Sequence, residues 1–266
     1  MSGPKDHLPR GRLIVQAARV SFAARAAYRG DLILSLVVTV LFEAVTPLVT
    51  VLIYGTGASF PGWSVGEALV IQGIFLVARG VAYPCLFGVV WNVFEQVREG
   101  TFELTLLRPR SPLVVLLAEG FDAPGLGRLI GGAALLAYAM TRVRPPGIGD
   151  VLLALVLFGL SVLVLFSFVL LMAGSLFVWV GNSRVQEVTE SLLVFAQYPS
   201  TIYGRGLRTA LGVAVPVLMI ASLPAEALLG RTAPLTILAV PASCLFFCLC
   251  LLYWRFMMKR YAGGGG

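Results

Sequence analysis

WNVFEQVREGTFELTLLRPRSP, residues 91–112, is the one sizeable polar island in the middle of a chain otherwise built largely of apolar runs. An ionised side chain at the bilayer centre costs at least about 2.5 kcal/mol on insertion scales. The stretch is therefore expected at a membrane surface, within reach of a partner, while its flanks cross. Within it, Gly100, Thr101 and Glu103 read as a helix stop and a restart, with glycine at C′, threonine as N-cap and an acid in the first turn. The predicted helix, 102–107, carries Phe102, Leu104, Leu106 and Leu107, more apolar surface than a solvated loop needs. Arg108 and Pro109 end it, and Ser111-Pro112 has the N-cap and N1 grammar of a further helix. A short apolar helix held between breaks suits a groove on another protein. The competing reading is an interfacial or re-entrant loop packed on its own bundle.

Composition places the flanks in lipid. Residues AVILMFWYC make up 58% of the chain and DEKR only 12%, with a mean hydropathy of +0.91, against roughly 25% charged residues in a soluble domain. The chain is expected to be an all-α polytopic membrane protein. Its net charge of +7 would suit nucleic acid in a soluble protein, but the bases stand at the ends of apolar runs and read as topology signals. Cys85, Cys244, Cys248 and Cys250 lie in apolar runs with no CxxC pair and no nearby histidine, so small apolar packing roles are expected rather than metal or disulfide chemistry.

Residues 8–30 place Arg12, Arg19 and Arg25 among Leu13, Ile14, Val20 and Phe22. This is too charged to span, so an amphipathic interfacial helix is expected, with 1–30 as a cytoplasmic N-terminal region. Arginines interrupt what would be the apolar core of a signal peptide. Six segments follow that can serve as spans of a core about 30 Å thick, at 31–54, 67–90, 125–140, 151–180, 207–223 and 234–254. Together they form a single domain, 31–262, ahead of a 263–266 glycine run read as a linker or added remnant. The third segment is the weakest, with Arg128 near its start, although Gly131 and Gly132 permit close helix contact. With both termini cytoplasmic, fifteen Lys and Arg fall inside and three outside, as the positive-inside rule requires. Residues 181–206 then form a cytoplasmic connection, and Glu226 lies near the outer face.

Two ionisable residues sit deep in these spans. Glu43 and Arg79 are each about twelve residues in, and at 1.5 Å per residue the two antiparallel helices bring both to the midplane. An ion pair between them would limit the desolvation cost. It serves either as a substrate or proton path or as a structural tie. Pro84, in the same second span, is expected to kink it.

The motif REGTFELTLLRPRSPL resembles the cytoplasmic signature of type-2 ABC transporter permeases. Further downstream, FDAPGLGRLIGGAALLAYA and FAQYPSTIYGRGLRTALGVAVPVLMIASLPAEALLG resemble a bacterial subfamily of these permeases. The resemblance implies six transmembrane helices, an N-terminal interfacial helix and a coupling helix between spans two and three. Short re-entrant helices before the last span are also implied. It assigns the ATPase-coupling role to Glu99, Gly100, Thr101, Phe102, Glu103, Leu104, Leu106, Leu107, Arg108 and Pro109. It also implies a bacterial inner-membrane location, two ATPase subunits that bind ATP and Mg, and a second permease chain, identical or different. The chain itself is expected to bind no cofactor and no metal, and to supply no catalytic residue.

No GxxxxGK[ST] phosphate loop, HExxH or GxSxG motif occurs, and the sole histidine is His7, so hydrolysis on this chain lacks the usual phosphate cradle and nucleophiles. The expected function is ATP-driven export of a hydrophobic or amphipathic compound or lipid. The alternative is an ion-coupled secondary transporter acting through Glu43 and Arg79.

Overall fold

A computed structural model describes residues 29–122, 125–178 and 183–261. Among them there are helices and turns but no strand. Four helices are long and apolar enough to cross a membrane, at Gly30–Gly55, Val65–Arg98, Ile148–Leu176 and Leu235–Arg260, which correspond to the first, second, fourth and sixth expected spans. We label the elements α1 (Arg29–Gly55), α2 (Val65–Ala82), α3 (Gly88–Arg98), α4 (Phe102–Leu106), α5 (Pro112–Glu119) and α6 (Leu126–Met140). They continue as α7 (Ile148–Leu176), α8 (Ser183–Val194), α9 (Arg205–Thr209), α10 (Ser222–Leu228) and α11 (Leu235–Arg260). The expected interfacial helix lies outside the described residues except at its last positions, and the terminal glycine run lies outside them entirely.

α2 opens on a capping box, with the Ser64 side chain bonded to the Glu67 backbone N–H and the Glu67 carboxylate bonded back to Ser64. The expected break at Pro84 takes the form of a π-helical turn, Tyr83–Phe87, joining α2 to α3. The Pro84 carbonyl accepts a hydrogen bond from the Asp122 backbone N–H at 3.0 Å, so the group released by the irregular turn is satisfied by the neighbouring chain. That neighbour is itself broken. Ahead of α6, which covers the expected third span, Pro112–Glu119 is also helical as α5, and residues 120–122 after it are non-helical.

The second and third spans cross along a seam of glycines. Gly66, Gly73 and Gly80 recur every seven residues and face Arg142, Leu136 and Leu129 in turn. A β-carbon on Gly73 would come within 3.0 Å of the Leu136 Cα, tighter than ordinary van der Waals contact. One on Gly88 would overlap the Gly120 carbonyl. Gly132 returns the contact against Leu76, while Gly127 and Gly131 on the other side of α6 face Thr39 and Val40 of α1. α6 is thus wedged between α1 and α2, as the small residues permit.

The fifth expected span, 207–223, is not a helix that crosses. It breaks into α9, a π-turn at Ala210–Ala214, extended Val215, and a 3-10 turn at Val217–Met219 before α10. Gly212 and Pro216 lie within this window and deprive a helix of continuity. Hydropathy alone hides that. Beside it, α8 and the 3-10 turns after it run along the bundle. Val185 lines a groove with Phe168 and Leu171 of α7, and Thr201 meets Trp63 in the α1–α2 turn at the opposite end. The segment expected to be a cytoplasmic connection therefore rises through the bundle, and 205–229 forms a hairpin dipping back in from that end. Its turn reaches the level of Ser161 in α7, whose hydroxyl donates to the Met219 carbonyl at 2.8 Å.

The interior divides into two apolar clusters. One, toward the α1–α2 turn, gathers Trp63, Phe75, Phe168 and the hairpin, and takes residues of α2 as far as Ala82. The other, toward α4, begins at Tyr83 and gathers Phe87, Phe102, Leu116, Phe177 and Trp254.

Candidate functional site

At the α4 end, α3 finishes in a complete Schellman motif. Gly100 adopts φ +70°, its N–H donates to the Val97 carbonyl at 3.3 Å, and the Thr101 N–H donates to the Gln96 carbonyl at 2.8 Å. Gly100 is the C′ residue as expected, but Thr101 is not a side-chain N-cap. Its hydroxyl turns back toward Gln96 rather than forward into α4, because the C″ position points it at the helix just ended. α4 closes with Leu107 as C-cap, and Ser111 with Pro112 opens α5 without a side-chain cap bond.

The coupling candidates separate into two sets. Phe102 is wholly buried, its ring 4.8 Å from that of Phe177 and 5.3 Å from that of Tyr261, so it anchors α4 to its own bundle. Thr105 is also buried and donates to the Gln96 side chain at 2.8 Å. Burial among these rings raises the Tyr261 hydroxyl above its ordinary pKa, and the Glu103 carboxylate adds to the rise. Outward stand Leu104 at 63%, Leu106 at 42% and Leu107 at 80% exposure, together with exposed Glu99, Glu103, Arg108 and Pro109. An ion pair of Arg108 with Glu119 fixes the exit of α4 against α5.

Where the two apolar clusters meet lies a charged layer. The Glu43–Arg79 pair expected there is not the one that forms. Glu43 of α1 pairs with Arg128 of α6 at 2.6 Å, and Arg79 of α2 pairs with Glu190 of α8 at 3.0 Å. The Tyr83 hydroxyl joins the second pair, bonding Glu190 and accepting from Arg79 at 2.8 Å. Both guanidiniums also lie 4.6 Å from the centre of the Tyr83 ring. Rise per residue speaks to position along a helix axis but not to azimuth, and α6 packs against the helices of both Glu43 and Arg79. Arg128, Tyr83 and Glu190 were missed by sequence reasoning. A sign was present, since Arg128 within an apolar window demanded an acid at its own depth.

α8 presents a second polar feature at this depth. Gln186, Glu187 and Ser191 are exposed, and the Glu190 side chain is 34% exposed, although the groove on the adjoining face is lined by Val185, Val188, Thr189 and Leu192.

Residues 40–265 match the family model described as ABC-2 family transporter protein. The chain belongs to this family. No curated protein and no solved structure matches it. As an ABC-2 permease it is a multi-pass membrane component of an ABC transporter rather than itself an enzyme, and the family associates with an ABC ATPase. The polar island between the second and third spans thus belongs to a permease, and α4 is its candidate contact with that ATPase.

Proposed function

We propose that the chain is the permease subunit of a bacterial inner-membrane exporter, moving a hydrophobic or amphipathic small molecule or lipid outward. ATP, with Mg, is bound and hydrolysed on two copies of a separate ATPase subunit. The observation that carries this reading is the outward face of α4. Leu104, Leu106 and Leu107 stand exposed on a helix whose other face is fixed to the bundle by Phe102. At a polar membrane surface such leucines are covered by a protein groove.

Six crossings are assigned to α1, α2–α3, α5–α6, α7, α8 with its following turns, and α11, with both termini cytoplasmic. Since α8 crosses, Arg205 and Arg208 move to the outer side, and the count of Lys and Arg becomes thirteen inside against five outside, still in the sense of the positive-inside rule. The exposed Gln186 and Glu187 of α8, on a helix assigned to a crossing where lipid would penalise a free charge, favour a second permease chain against this face, whether a copy or a different chain. A stand-alone ion-coupled carrier gains no support, because Glu43 and Arg79 are each committed to another partner.

The test is Leu104→Asp with Leu107→Asp. The variant should insert normally yet lose both co-purification with the ATPase and stimulation of its hydrolysis. Retention of both would sink the assignment.

A further inference from the structure

The hairpin between α8 and α11 is a more deeply buried segment than the helices around it. Val217, Leu218, Met219, Ile220, Ala221, Ser222, Leu223, Ala225, Glu226 and Ala227 are all at 2% exposure or less, although the segment enters from one end of the bundle. Its foot is tied by Ser161 to the Met219 carbonyl. Its exit limb is tied to the head of the fifth crossing, where the Ser200 hydroxyl donates to Glu226 at 2.5 Å and the Ser200 N–H donates to the Ser222 hydroxyl at 2.8 Å. The hairpin fills the space between α2, α7 and α11 in this half of the bundle.

Over its mouth lies a small clasp. The Trp63 indole N–H, in the α1–α2 turn, donates to the Thr201 hydroxyl at 2.8 Å. Arg231, where the hairpin leaves for α11, donates to the Gly62 carbonyl at 2.9 Å, pairs with Glu67 at 2.7 Å and places its guanidinium 5.2 Å from the centre of the Trp63 ring. Tyr54 stiffens the turn, its hydroxyl donating to the Trp63 carbonyl at 3.0 Å and accepting from the Phe60 N–H at 3.2 Å. Phe60 in turn packs edge-on to Tyr198. Trp63 is therefore held from two directions, by the segment entering the hairpin and by the segment leaving it.

We infer that this clasp is the latch of the outer half of the permease. While Trp63 bonds Thr201 and Arg231 bonds Glu67 and Gly62, the hairpin is held in place as a plug. Opening toward the outer face begins with the loss of these contacts. The geometry suits a device that must open repeatedly. The glycine seam is continuous and apolar, whereas the clasp consists of a few directional bonds, and its ion pair is half exposed at Arg231, where such pairs are weak and water competes for them. Sealing and release can then be balanced without disturbing the packing of the spans. The inference rests on the transport reading only for the direction of use; the closed clasp and the buried plug stand on geometry.

The experiment is hydrogen–deuterium exchange on the purified full chain, comparing the parent with Trp63→Phe, Arg231→Gln and their combination. Trp63→Phe keeps an aromatic ring, though a smaller one, and removes the donor. The combined variant should exchange amides in 217–227 at least tenfold faster, with the 66–80 seam unchanged. As a second measurement, Ala225→Cys in a background lacking the four native cysteines should react several-fold faster with an impermeant maleimide applied from the outer side when the clasp is removed. Exchange and labelling at the parental rate would overturn the latch. Faster exchange everywhere, the seam included, would also overturn it, since that outcome is general destabilisation. Neither readout involves the ATPase, so loss of the latch and loss of the ABC-permease reading are separable, the latter being decided by co-purification.

Discussion

The two ends of the bundle treat their aromatic and apolar side chains in opposite ways. At the α4 end, Phe102 is drawn inward among Phe177 and Tyr261 while Leu104, Leu106 and Leu107 are left outside. At the other end Trp63 is drawn in and covered by Arg231, and polar groups close over it. One end leaves apolar side chains uncovered, and the other covers its own. For a permease driven from one side, that is the asymmetry to expect: a surface that awaits contact and a seal that resists leakage until the contact acts.

The comparison breaks most severely if the anchor of the first end is removed. Phe102→Ala should cost about 3–5 kcal/mol, the usual range for a buried aromatic, release α4 from Phe177 and abolish ATPase association, as read by thermal unfolding in detergent and by pull-down. Next comes the charged layer on which both ends rest. Arg128→Met leaves Glu43 without its base, at a cost of about 3–5 kcal/mol, whereas Arg128→Met combined with Glu43→Met should recover most of the loss. A double-mutant cycle on melting temperature reads the difference. Leu104→Asp alone should leave stability untouched and weaken ATPase binding by about 2 kcal/mol, the scale of an interface hot spot. The smallest effect belongs to the sealed end, where Trp63→Phe removes one hydrogen bond worth about 1 kcal/mol and should raise basal exchange in the hairpin with little change in melting.

Much of the architecture could be read from the chain because hydropathy and helix grammar act locally. Four long spans, the turn at Gly100, the restart before Phe102 and the break at Pro84 all follow from residues within a few positions of one another. What escaped is what depends on neighbours far along the chain. The window 207–223 is apolar enough for a span, yet Pro216 and Gly212 send it back on itself. α8 is polar enough for a loop, yet it packs into the bundle, where Arg79 offsets Glu190. For Glu43 and Arg79, rise per residue speaks to position along the helix axis, but pairing depends on azimuth, which α6, packed against both helices, decides. On α4 the hydrophobic residues were recognised as a group, and only the aromatic cage at the bundle end separates Phe102 from the three leucines.

Gly66, Gly73 and Gly80 carry a mechanical consequence. Helices in contact at the backbone every second turn have little freedom to slide or splay, so α2 and α6 act as one stiff strut as far as the π-turn at Tyr83–Phe87. From Val65 to Arg98 the longer arm measures roughly 50 Å at 1.5 Å per residue, and α4 sits across its foot. On the proposed coupling role of α4, a displacement imposed there would be carried along the second span to the strut. At its head the strut holds Glu67, the acid that Arg231 grips.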